Sequence, residues 1–128
     1  MRQAEIPDLE KVAEAAFQKE YSALRPLLEA EARVQHQLAR LDAQARQCRQ
    51  QSASAEGYRV TGTDVLWNGW ESATRRQLNM ELARLRAQKL SALESLRLTF
   101  GRKQAVASLS ENQKEARLRA LSKRRLSH

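Results

Sequence analysis

The chain is short of almost everything that builds a compact globular core. It has one cysteine, Cys48, four glycines, two prolines and a single isoleucine, Ile6. One cysteine excludes an internal disulfide. So few glycines and prolines leave little to punctuate the chain, so its elements must be few and long. Scarce β-branched residues argue against a sheet. No run approaches the roughly 18 apolar residues that would suggest a membrane span, and the N-terminus has neither the apolar centre nor the flanks of a secretory signal. A cytoplasmic protein is expected.

What is present is the composition of long helices. Ala, Leu, Arg, Gln, Glu and Lys dominate, and 41% hydrophobic residues are spread among 30% charged ones over 128 positions. That leaves room for one domain with a thin core. The net charge of +8 is uneven. Residues 1–56 hold eight Lys/Arg against nine Asp/Glu, residues 57–101 seven against four, and residues 102–128 eight against two. The basicity therefore gathers at the C-terminal end.

Pro7 and Asp8 suit a first helical turn, where a missing N–H costs nothing and negative charge meets the positive end of the helix dipole. From there Ala13, Phe17, Glu20, Leu24, Leu27, Glu31, Val34, Leu38, Leu41, Ala45 and Cys48 alternate in steps of four and three, one stripe along a helix over about residues 8–56. Pro26 removes a backbone donor inside it and predicts a bend near Ser22 to Arg25, or a break into two helices. Gly57 to Gly62 lacks helical period and predicts a turn over 57–63, after which Thr63 or Asp64 can cap a second helix over about 64–107. That helix carries Trp67, Trp70, Thr74, Leu78, Leu82, Leu85, Lys89, Leu93, Leu96 and Phe100 on one face. Leu78, Lys89 and Phe100 repeat every eleven residues, which predicts weak supercoiling. Gly101 interrupts the pattern, and Ser108 with Glu111, or Ser110 with Gln113, can form a capping box that starts a short amphipathic helix bearing Leu118, Leu121 and Leu126 within the basic segment 108–128. The fold expected is all-α: two long helices in an antiparallel coiled-coil hairpin. Folding about residue 60 pairs Leu38 with Leu82, Val34 with Leu85, Leu27 with Leu93, Leu24 with Leu96, and Phe17 or Tyr21 with Phe100. Residues beyond about 113 then pass the start of the first helix, so the basic tail overhangs it or folds back on it.

Catalytic chemistry is not evident. His36 and His128 stand far apart with no ligand constellation at metal spacing, and Gly57, Gly62, Gly69 and Gly101 fit neither a Walker loop nor a dinucleotide fingerprint. No catalytic residue, metal or cofactor is expected. Two segments draw attention instead. Trp67 and Trp70 lie one turn apart beside the reversal: either they cap the hairpin against Tyr58 and Val60, or they anchor a partner. Arg117, Arg119, Lys123, Arg124 and Arg125, beside Leu118, Leu121 and Leu126, form either a solvated basic helix or a surface for an acidic groove or an anionic membrane. Nucleic acid is not expected, because no recognition motif or aromatic stacking platform accompanies the charge.

A hairpin of this size and charge, with a second helix reading Leu66-Trp67-Asn68-Gly69-Trp70, then Leu78-Asn79-Met80-Glu81-Leu82-Ala83-Arg84-Leu85-Arg86-Ala87 and Phe100-Gly101-Arg102, resembles FliJ, the coiled-coil component of the flagellar type III export apparatus, and its injectisome counterpart YscO. The resemblance implies a stalk whose terminal end enters the ring of an export ATPase (FliI type) and whose turn end meets the membrane export gate (FlhA type), with export chaperones as further partners. It implies a cytoplasmic location, peripheral at the inner face of the membrane. Carried onto this chain, the terminal contact falls to the segment around Leu9 to Phe17 with Arg117, Arg119, Lys123, Arg124 and Arg125, and the gate contact to Leu66, Trp67, Trp70, Thr74 and Arg75.

Overall fold

A computed structural model describes residues 5–54 and 63–127. They form two helices, α1 (Ile6–Ser54) and α2 (Thr63–Ser127), which pack against each other as an all-α helical hairpin. The expected turn at 57–63 lies almost wholly outside the described residues, as do the side chains of Thr63 and Asp64.

The stripe read along α1 is the stripe that is covered: every one of its positions from Ala13 to Cys48 is buried or half-buried. Pro26 does not break the helix, which is continuous through it. The carbonyl that loses its partner belongs to exposed Ser22, where water can take the place of the missing N–H, so the local loss is small beside the packing on either side.

α2 departs from expectation in two ways. It runs without interruption through Gly101 to Ser127, so there is no end near 107 and no separate capped C-terminal helix. A glycine costs a helix about 1 kcal/mol relative to alanine, too little to end one that is held by flanking turns. The eleven-residue repeat also fails. Leu78, Leu82, Leu85, Lys89, Ala92, Leu96, Thr99, Lys103, Val106, Ser110 and Gln113 are covered, a strict alternation of four and three, with half-buried Ser95 at its edge. Leu93 and Phe100, placed in the stripe by the longer repeat, stand beside it, 41% and 46% exposed. The seam wins because burial follows the partner helix, and α1 keeps a heptad throughout.

The chain divides into two units. In Arg25–Leu90, Val34, Leu82 and Leu85 form the core, with Leu27, Ala30, Leu38 and Leu78 packed on it. Glu31 faces Lys89 and Arg86, and Asp42 faces Arg75, so the two arms of the hairpin run antiparallel in the register expected. In the unit formed by Met1–Leu24 and Ser91–His128, Phe17 meets Phe100 with ring centroids 5.9 Å apart, and Lys103 reaches Glu14 at 2.8 Å. Here Ile6, Leu24 and Thr99 are buried. The Thr99 hydroxyl donates to the carbonyls of Leu96 (2.9 Å) and Ser95 (3.2 Å), which satisfies it without a partner on the other helix.

Candidate partner-binding surfaces

The first surface lies at the start of α2. Three residues of separation make Trp67 and Trp70 neighbours on the helix, and their rings sit 5.0 Å apart, tilted by 36°. Trp67 is half-buried and Trp70 is 51% exposed, beside Val65 and Leu66 at 69% and 77%. Tyr58 and Val60, the expected lid, lie outside the described residues. Thr74 is half-buried and, with Trp70 and Leu78, lines a shallow groove of about 270 Å³ against Leu41, Arg40 and Gln37.

Arg75 plays a different part from its neighbours. Its guanidinium donates to Glu71 at 2.9 Å and, across the hairpin, to Asp42. Those two carboxylates, Glu71 first, raise its pKa further above its already high value. Arg75 ties α2 to α1, so its charge is already answered inside the fold.

The second surface is the C-terminal stretch of α2. Arg117, Arg119, Lys123, Arg124 and Arg125 are all helical and exposed, as is every residue over 114–127. The Arg119 Nε donates to the carbonyl of Glu115 at 3.4 Å. Continuing the α2 seam past Gln113 by its own steps gives Arg117, Ala120 and Arg124. Beyond the last covered layer the seam therefore turns basic, with Leu118 and Leu121 beside it.

A third surface joins part of the segment around Leu9 to Phe17, which the resemblance named for the terminal contact, to residues of α2 that the sequence did not single out. In the unit of Met1–Leu24 and Ser91–His128, a groove of about 800 Å³ runs between the helices, floored by Pro7, Ala13, Val106 and Ala107 and rimmed by acidic and basic side chains. The Lys103 ammonium bridges its two sides: it holds Glu14 and stands 4.8 Å from the centre of the Phe17 ring. This hydrogen bond, with a second from Gln18, lowers the Glu14 pKa against the opposing effect of burial. Phe17 stacks in turn on Tyr21, centroids 6.1 Å apart, and Tyr21 is 57% exposed. The heptad phase of α1 carried over to α2 picks out Lys103, Val106 and Ser110 of this groove as seam positions, and the expected pairing of Phe17 with Phe100 holds beside it.

Among the described residues no group of three or more His, Cys, Asp or Glu is placed to hold a metal ion, and no helix is long and apolar enough to cross a membrane. Cys48 is a free, half-buried thiol. No family model, curated protein or solved structure matches the chain.

Proposed function

We propose that the chain is a non-catalytic accessory protein of flagellar or type III export, of the FliJ and YscO kind, acting as a helical stalk between an export ATPase ring of the FliI type and an export gate of the FlhA type. The observation that carries the reading is the exposed basic continuation of the α2 seam at Arg117 and Arg124, flanked by Arg119, Lys123 and Arg125. Arginines at seam positions do not suit a further apolar zipper; they suit an acidic surface, where guanidinium groups form paired hydrogen bonds with carboxylates. The resemblance supplies the identity of that partner. The gate contact rests on exposed Leu66 and Trp70 with Trp67 behind them; export chaperones are further candidates.

The test is binding of the full chain to a purified FliI-type ATPase over a range of salt. Affinity should fall steeply as the Debye length shrinks below about 8–10 Å. Replacing Arg117, Arg119, Lys123, Arg124 and Arg125 by Gln should slow association more than it speeds dissociation. The same tail also favours a second reading, an adaptor whose basic helix lies on an acidic protein or an anionic membrane. Salt-sensitive binding to anionic vesicles with none to the ATPase selects that reading. Binding unaffected by the five substitutions removes both.

A further inference from the structure

Basic residues recur at one position of the α2 heptad. Leu82, Lys89, Leu96, Lys103, Ser110, Arg117 and Arg124 follow one another at every seventh residue, so they share one line of the seam. Where α1 covers that line, each lysine on it is answered by a glutamate of α1. Lys89 donates to both oxygens of Glu31, itself a seam residue, at 3.0 and 3.1 Å, and Arg86 adds a contact to the same carboxylate. Lys103 meets Glu14 at 2.8 Å, with its ammonium over the Phe17 ring. Arg117 and Arg124 hold the same position in the repeat, yet both are exposed, and among the described residues no carboxylate pairs with either. Between them Ala120 leaves room for a close helix approach, and Leu121 stands beside it, 46% exposed.

We propose that residues 114–127 are one strand of a coiled coil whose other strand is an acidic helix of a partner protein. That helix carries carboxylates seven residues apart, which pair with Arg117 and Arg124, and an apolar residue between them that meets Ala120 and Leu121. Each of these features follows from the hairpin. The spacing is that of the two arginines, carboxylates are what the same line already takes at Lys89 and Lys103, and α1 presents them from a helix. Guanidinium groups strengthen the match, because they bind carboxylates through two parallel hydrogen bonds. An anionic membrane, by contrast, attracts every cation near its surface and has no preference for the seam. This partner rests on the reading of the tail as a protein contact and adds its shape.

The test uses the full chain and, as probe, an alanine-based helical peptide of about 21 residues with two glutamates seven apart and a leucine between them. The peptide should bind about tenfold more tightly than an isomer with one glutamate moved two residues round the helix. Arg117→Gln with Arg124→Gln should weaken binding about tenfold, whereas Arg119→Gln with Arg125→Gln, which removes the same charge from other faces of the same turns, should weaken it only about twofold. Helicity by circular dichroism should stay unchanged in both variants, since all four side chains are exposed. Equal losses from the two pairs, equal binding of the two peptides, or binding to phosphatidylglycerol vesicles with none to the peptide would each overturn the proposal. Selective peptide binding with none to a FliI-type ATPase would keep the acidic helix and remove the export stalk. ATPase binding that suffers equally from both pairs would do the reverse.

Discussion

Lys89 donates to both carboxylate oxygens of Glu31, at 3.0 and 3.1 Å, across 58 residues of chain. Arg86 adds a third bond to the same carboxylate at 3.4 Å. Both Glu31 and Lys89 occupy seam positions that leucine would otherwise fill, and a charged layer inside an apolar seam admits one register where leucines admit several. Glu31→Gln should lower the melting temperature, because it leaves a half-buried ammonium without its counter-charge. Glu31→Leu with Lys89→Leu should recover that loss while loosening register. Thermal melts check the first outcome, and crosslinking between Leu38→Cys and Leu82→Cys in a Cys48→Ser background checks the second, with out-of-register products appearing only in the leucine variant.

Acid should weaken the hairpin. The Lys89 hydrogen bond, more than any other influence, lowers the Glu31 pKa, and Lys103 does the same for Glu14. Around their titration the folded chain therefore holds fewer protons than the unfolded one. The stability they contribute is complete above the unfolded glutamate value of about 4.3 and is lost as pH falls through the lower folded values. Melting temperature should drop between about pH 5 and 3, and Glu14→Gln with Glu31→Gln should flatten that drop.

Gly101 sits mid-helix, and a Cβ there would meet nothing within 4 Å. Gly101→Ala should stabilise the chain by about 1 kcal/mol, seen as a higher denaturant midpoint with an unchanged slope. A lower midpoint would mean that the position needs glycine for a contact outside the single chain.

Trp70 is half exposed in its contact with Trp67, so Trp70→Ala should leave helicity intact. If it anchors the gate contact, truncation should cost about 2 kcal/mol, roughly thirtyfold in affinity for an FlhA-type protein, with ATPase binding preserved. A lower melting temperature with every partner still bound would make the two indoles a cap of the hairpin.

The stripe of α1 from Ala13 to Cys48 is dense enough to read without a structure, and the covered positions of Val34, Leu38, Leu82 and Leu85 follow from it. Val34 and Leu85, matched by folding the chain about residue 60, both lie in the core of the same unit. The all-α hairpin and its antiparallel register were legible in this way, since heptad periodicity is a local property of the chain. So was the basic tail, because charge can be counted along the sequence.

What the sequence could not decide was the C-terminal half of α2. There leucines lie on several faces, and the covered positions include Ala92, Thr99, Lys103, Ser110 and Gln113, which carry little hydrophobic signal of their own. Only the partner helix selects among the competing stripes, because burial is a property of the pair. The same holds for Arg75, whose sequence neighbours suggest a surface residue while Asp42, 33 positions away, draws it into the fold, and for the continuity of α1 through Pro26 and of α2 through Gly101. Local propensity opposes them by about 3 kcal/mol or more at Pro26 and about 1 kcal/mol at Gly101, and packing along the rest of each helix outweighs it.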